Sequence, residues 1–317
     1  MSDSVLIISI IIFGISFLTP FLIYCKFGRK FKNVPEDVYR RELPDEIKPA
    51  VVNAILNGKG KPNMDGFVAT IMDLSERGYI SFREKYIRIN GKISRELFLS
   101  FEKDIDDDLW VLEKQVYLFL KRYMEGDEIL WRKLQWKLKA DNYYFTFFNE
   151  WKETVAFEAC YEYFYKETGY FWCLAAGLIM ILYTVFMFFI IDLSPGMVLL
   201  CAPVGILGGG LWIFTSIAPI ELGQWTKEGH DFSIQWMGFA NYLKDYSMIH
   251  EHPPTSVIIW NHYLIYAMAL GIANKAIENM ELTLHLNFNG KVATKPKFYQ
   301  GFRESYTISE KMEKNNH

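Results

Sequence analysis

Apolar positions along the chain follow two patterns. In Val5 to Cys25, Tyr170 to Ile191 and Met197 to Ile220 they run on without an Asp, Glu, Lys or Arg. Each stretch reaches the roughly 20 apolar residues that cross a ~30 Å hydrocarbon core at about 1.5 Å per residue. Elsewhere apolar residues recur at helical or strand spacing. The pattern predicts a mainly α membrane protein with three transmembrane helices and cytoplasmic α/β, winged-helix-like and helical domains.

The expected organisation is an outside N-terminus over 1–4, a first transmembrane helix over 5–25 and a cytoplasmic winged-helix-like and helical region over 26–169. A second transmembrane helix follows over 170–191, an outside turn over 192–196 and a third over 197–220. A cytoplasmic helical domain over 221–282 and a polar tail over 283–317 complete the chain. The first run reads as an anchor rather than a signal peptide, because Met1, Ser2, Asp3 and Ser4 supply no basic n-region and no small-x-small cleavage site follows.

Orientation rests on the basic residues beside the spans. Lys26, Arg29, Lys30 and Lys32 follow the first directly and stay inside, so the N-terminus faces out. Gly205, Gly208, Gly209 and Gly210 in the third span, with Ala175, Ala176 and Gly177 in the second, let two helices approach closely in lipid, which predicts an antiparallel hairpin.

Between the first two spans, Ile47, Ala50, Val51, Ala54 and Ile55 mark one helix face. Phe67, Ile71 and Leu74 mark a second helix over about Met64 to Arg77, with Gly78 placed to cap it. The period then changes to strand-like alternation, Ile80 and Phe82 followed by Ile87 and Ile89, and a short hairpin turning around Arg83-Glu84-Lys85 is expected. Helices followed by a helix-Gly-hairpin unit outline a winged helix. DNA binding is the tempting function, but the groove-facing helix carries Asp65, Asp73 and Glu76 against Arg77, which repels phosphate.

Asp104-Ile105-Asp106-Asp107-Asp108 resembles a cation site, yet the helical pattern Leu109, Leu112, Val116, Phe119 and Leu120 follows at once. The last acids are therefore expected at a helix N-terminus. Ile129 to Lys139 and Tyr143 to Lys166 read as two further helices, the second crowded with aromatics suited to a core and a membrane interface. Val257 to Ala273 is uncharged over seventeen residues, the lower limit for a span, and is expected as a buried helix of the inside domain.

Composition changes this picture little. The chain of 317 residues has 51% hydrophobic residues and a formal charge of −3. Val34 to Gly169 holds 21 basic against 25 acidic residues, so it is no basic platform for nucleic acid. Cys25, Cys160, Cys173 and Cys201 show no paired spacing, and His250-x-His252 has no neighbouring carboxylate or thiol to complete a metal set. No serine elbow, Walker lysine, Rossmann glycines or HExxH is present, so no catalytic, cofactor-binding or metal residues are assigned. The uncharged spans argue against a transport pathway.

Several blocks carry a family likeness: Leu43-Pro44 through Pro49-Ala50, then Ala69-Thr70-Ile71-x-Asp73-Leu74-x-x-Arg77-Gly78-Tyr79-Ile80. It resumes at Gly238-Phe239-x-x-Tyr242-Leu243 and at Tyr263-Leu264-x-Tyr266-Ala267-x-Ala269-Leu270-Gly271-Ile272. In these the chain resembles the YciQ-like predicted membrane proteins. The resemblance implies a span, an inside module, a two-span hairpin and a final inside domain; it implies no reaction and no catalytic residues. Such proteins typically carry an extracytoplasmic β-rich domain before the first span and a Gly/Ser-rich tail. Here the chain begins almost at the span itself and the Gly/Ser-rich tail is missing, so a sensing role for an outer domain is expected only if a separate polypeptide supplies that domain. The expected function is a non-enzymatic membrane scaffold or signalling adaptor whose partners are lipid and other membrane or cytoplasmic proteins. The alternatives are an accessory subunit of a transporter or envelope-processing complex and, third, a membrane-tethered DNA-binding regulator.

Overall fold

The computed structural model describes residues 3–23, 25–26, 38–56, 60–89, 92–159, 161–166, 168–190, 195–217, 224–245, 249, 257–276 and 278–279. The chain divides into two compact units, Met1–Asn33 with Glu162–Asp231, and Val34–Tyr161 with Phe232–His317.

In the first unit three apolar helices pack together: α1 (Asp3–Ile23), α8 (Thr168–Ile190) and α9 (Pro195–Ile217). Their burial is inverted relative to a water-soluble bundle. Large apolar side chains point outward, with Phe189 80% and Ile206 74% exposed, while Ser9 and Ser16 are buried. Polar groups find partners between or within helices. Tyr183 donates to Ser9 Oγ at 3.2 Å, Trp212 Nε1 donates to the Leu174 carbonyl at 3.1 Å, and Ser16 donates to its own helix at Ile12. Inward polar pairing with an apolar exterior is what a lipid solvent selects. Among the described residues, Gly169–Phe189 is long and apolar enough to cross a membrane; Ser9–Ile23 and Cys201–Phe214 are shorter apolar stretches. A short antiparallel pair, β4 (Tyr165–Lys166) with β5 (Gln224–Trp225), also belongs to this unit.

The second unit begins with α2 (Pro49–Leu56) and α3 (Met64–Glu76). Asn63 caps α3, its side chain accepting from the backbone of Asp65 at 2.9 Å and Gly66 at 3.4 Å. Gly78 ends it at φ 76°, a left-handed position that glycine adopts without penalty, and Tyr79 N donates back to the Leu74 carbonyl at 2.9 Å. Next come β1 (Ile80–Ile89) and β2 (Lys92–Phe101), antiparallel from Ile80↔Phe101 to Ile89↔Lys92. The hairpin is therefore longer than the sequence pattern suggested. Arg83-Glu84-Lys85 is not a turn but the middle of β1, where Arg83 pairs with Glu102 and Lys85 with Glu128. Asn90-Gly91, the sequence that joins the strands, is the strongest short hairpin signal and was the better marker.

After α4 (Val111–Arg122), β3 (Glu128–Leu130) adds to β2 at Phe98, Leu99 and Ser100. The helix expected from Ile129 thus starts later, as α5 (Trp131–Ala140), because the first residues are taken by sheet pairing. The aromatic run forms α6 (Tyr143–Glu158) and a single turn, α7 (Tyr161–Phe164), before β4. Tyr144, Phe147, Phe148 and Trp151 are buried around Phe67 of α3, with ring centroids 5.2 to 6.3 Å from it. These rings are core, whereas Phe157 stands 86% exposed.

The helix α10 (Lys227–Lys244) contributes Trp236, Phe239, Tyr242 and Leu243 to a second core together with Tyr266 and Ala267 of α11 (Val257–Ala269). α11 packs on α3 and α2. Tyr266 donates to the Ile47 carbonyl at 2.9 Å and Tyr263 to the Arg41 carbonyl at 3.0 Å, so this helix of the second unit is fixed by polar as well as apolar contacts.

Candidate functional site

A buried group of charges in the second unit lies where α2, α3 and α4 meet. Glu113, at the third position of α4, is 1% exposed. Its Oε1 receives Arg77 Nη1 at 2.6 Å and Lys48 Nζ at 3.0 Å, and its Oε2 accepts from the Trp110 backbone N–H at 2.7 Å. Arg77 also reaches Asp73 Oδ2 at 3.2 Å and, through Nη2, the Asp108 carbonyl at 3.0 Å. Lys48 Nζ lies 5.7 Å from the centre of the Trp110 ring, within cation–π range.

Electrostatics divides these carboxyls by role. Burial pushes the Asp73 carboxyl up to about 6, and a side-chain hydrogen bond with Glu113 pushes it the same way, so it carries a proton under mildly acid conditions. Burial likewise raises the Glu158 carboxyl, against the Leu112 backbone N–H that lowers it. Burial alone would depress the Arg77 guanidinium, but Glu113 and Asp73 more than offset it and hold the charge. Glu113 thus accepts from two cations and a backbone donor. The arrangement ties the chain before α2 to the end of α3 and the start of α4.

The acidic run belongs to the same neighbourhood. Asp106 accepts from the Tyr79 hydroxyl at 2.6 Å and pairs with Lys103, and those hydrogen bonds hold its carboxyl down at about 2. Asp104 pairs with Lys121 at 3.2 Å. The run was expected to cap α4; instead Glu113 performs that role by reaching back to the Trp110 N–H. Among the described residues no group of three or more His, Cys, Asp or Glu is placed to hold a metal ion.

A second buried polar group joins α2, α3 and α11. Asn53, fully buried, donates to the Ala269 carbonyl at 2.7 Å and to Asn63 Oδ1 at 3.0 Å, and accepts from the Asn63 N–H at 2.8 Å. Gly66 sits against it so closely that an added Cβ would lie 2.6 Å from Asn53 Oδ1. His262 of α11 meets Glu76 of α3 at 2.9 Å, and that hydrogen bond raises the imidazole's affinity for a proton.

The sequence-marked membrane residues separate. Gly177 and Gly208 face each other, an added Cβ on Gly208 falling 2.8 Å from the Gly177 carbonyl oxygen, and Gly205 packs on Thr184. Ala176 packs against the α8–α9 core and Ala175 is half-buried. Gly209 and Gly210 lie off the contact, where an added Cβ would meet nothing within 4 Å, because the helical turn carries them to other faces. Lys26 is exposed; Arg29, Lys30 and Lys32 fall outside the described residues, as do His250 and His252 and the 283–317 tail.

The motif residues Asp73, Arg77, Gly78 and Tyr79 therefore converge on one charged, buried junction. The family model for the predicted membrane protein (DUF2207) C-terminal domain matches residues 36–280, most of the chain, and takes in both buried polar groups. The chain belongs to the DUF2207 family of predicted membrane proteins. No curated protein and no solved structure matches it. In this DUF2207 chain the matched region spans the whole described part of the second unit, and the α8–α9 pair as well. Sequence reasoning picked out Asp73 and Arg77 but missed Lys48 and Glu113. A Trp-x-x-Glu spacing at 110–113 was the available signal, obscured because Trp is not one of the usual N-cap residues.

Proposed function

We propose that this membrane protein is a non-enzymatic scaffold or signalling adaptor. In this reading α1, α8 and α9 are three spans, with the N-terminus outside and the C-terminus cytoplasmic. The second unit is a winged-helix-like and helical module that engages other membrane or cytoplasmic proteins. The observation that carries the reading is the engagement of buried Glu113 by Lys48, Arg77 and the Trp110 N–H. A general acid or base needs a lone pair or proton free to face a substrate. The family-motif charges are instead committed to one another, which suits a rigid module that presents a surface.

The α3 helix, the segment a DNA-binding reading would send into a groove, packs on α2, α4 and α11. Its acidic residues compound that disadvantage. This supports protein partners over nucleic acid.

Crosslinking in native membranes, followed by purification and identification of adducts, tests the proposal. Reproducible adducts between the second unit and the same few proteins are expected. A stoichiometric polytopic transporter would transfer the chain to the accessory-subunit reading, and a monomer without adducts would remove the scaffold reading altogether.

A further inference from the structure

The β1–β2 hairpin extends well past the sheet that roots it. β3 pairs with β2 only at Phe98, Leu99 and Ser100. From Lys85↔Glu96 outward, the described residues form a two-stranded ribbon. At about 3.3 Å per residue, the strand from Phe98 to Lys92 carries the tip roughly 20 Å from that root.

The ribbon's outer part has an unusual surface for a protruding hairpin. Tyr86 is 75% and Ile93 71% exposed. Register sets Arg88 opposite Ile93, and Tyr86 precedes Arg88 by two positions on β1, so the three share one face of the ribbon. At the root the cations are neutralised, Arg83 by Glu102 at 2.7 Å and Lys85 by Glu128 at 2.5 Å. Arg88 is exposed and has no ion-pair partner among the described residues. The sequence from Tyr86 to Arg95 contains Arg88, Lys92 and Arg95 and no acid, in a chain whose net charge is −3.

The unpaired Arg88 alone would suit any polyanion. Combined with an exposed tyrosine and isoleucine, it suits a surface with negative groups outside and an apolar layer beneath them, which is the headgroup region of an anionic bilayer. Tyrosine favours that boundary because its ring is apolar and its hydroxyl wet. We propose that the ribbon lays the face bearing Tyr86, Arg88 and Ile93 on an anionic lipid surface, with Arg88 against headgroup phosphate and Tyr86 and Ile93 at the boundary with the apolar layer. This goes beyond the scaffold reading and requires only that the chain reside in a membrane.

The test uses the full chain with a photo-crosslinking benzoylphenylalanine in place of Tyr86, reconstituted into vesicles of phosphatidylcholine alone or mixed with phosphatidylglycerol. Lipid adducts at position 86 are expected to be several-fold more abundant in the anionic vesicles. Arg88→Glu and Ile93→Ser should each lower them several-fold while Arg88→Lys retains them, with unchanged circular dichroism and thermal unfolding. Equal adducts in both lipids, no lipid adducts, or adducts that transfer to added duplex DNA or to a second copy of the chain would overturn the proposal.

Discussion

Arg77 Nη1 and Glu113 Oε1 meet at 2.6 Å, joining the end of one helix to the start of another, with the carboxylate 1% exposed. A buried carboxylate is tolerated only with such compensation, since the energy of removing it from water must be returned by its partners. Lys48 and the Trp110 N–H complete that compensation, so the three elements are held in one register by a single side chain.

Arg77→Met is therefore expected to destabilise the second unit by about 1 to 3 kcal/mol, since Glu113 keeps Lys48 and the Trp110 N–H but loses its shortest ion pair, and Asp73 loses Arg77 as well. Arg77→Met with Glu113→Leu should cost more than Arg77→Met alone, because Lys48 and the Trp110 N–H then lose their acceptor as well. Denaturant unfolding of the two variants in detergent, followed by tryptophan fluorescence, gives the comparison.

Stability should also depend on pH through Asp73. Its carboxyl is raised from an ordinary 3.8 to about 6, so the folded state holds the proton more tightly than the unfolded chain. The contribution is fully present below about 3.8, falls as pH rises to about 6 and is absent above, a change on the order of 3 kcal/mol. Asp73→Asn should flatten that part of the profile. His262 acts in the same direction at higher pH: Glu76 raises its pKa, so its contribution is present below its ordinary 6.5 and lost as pH rises through the folded value. Thermal unfolding across pH 4 to 8 checks both, with His262→Gln isolating the second slope.

Much of this arrangement was legible in local sequence and some was not. The bounds of α3 followed from Phe67, Ile71 and Leu74 and from Gly78, which are signals contained within one turn or two of helix. Ile129 and Leu130 were read as helix because Glu128–Leu130 becomes a strand only by pairing with β2, a contact that local periodicity does not encode. The partners of Glu113 were hidden for the same reason: Lys48 and Arg77 are distant in sequence and come together only when α2, α3 and α4 pack. Arg83 and Lys85 misled as turn residues because charged side chains on an exposed strand look like a loop until their partners Glu102 and Glu128 are known.

The α8–α9 crossing makes a positional prediction. Gly208→Val should weaken the helix pair, because even a Cβ at Gly208 reaches the Gly177 carbonyl and Met180, at 2.8 and 2.9 Å. Gly210→Ala meets open space and should be neutral or stabilising by up to about 1 kcal/mol from helix propensity. Thermal aggregation in detergent should rank Gly208→Val below the parent chain and Gly210→Ala at or above it.

In the second unit, Asn53→Ala should cost about 1 to 3 kcal/mol, since it removes both the buried hydrogen bond to the Ala269 carbonyl and the acceptor of the Asn63 N–H. Gly66→Ala should reproduce part of that loss by displacing Asn53. Hydrogen exchange at α11 is the readout, because that helix should loosen first.

The anchor topology is the claim on which the scaffold reading stands, and side-specific labelling tests it most directly. Cysteine replaces Ser194, between α8 and α9, in one chain and Trp136, 68% exposed on α5, in another. Each is treated with a membrane-impermeant maleimide in intact cells and in inverted vesicles, with the parent chain as background. Ser194→Cys is expected to label only from outside and Trp136→Cys only in inverted vesicles; labelling of both positions from the same side would contradict the anchor topology.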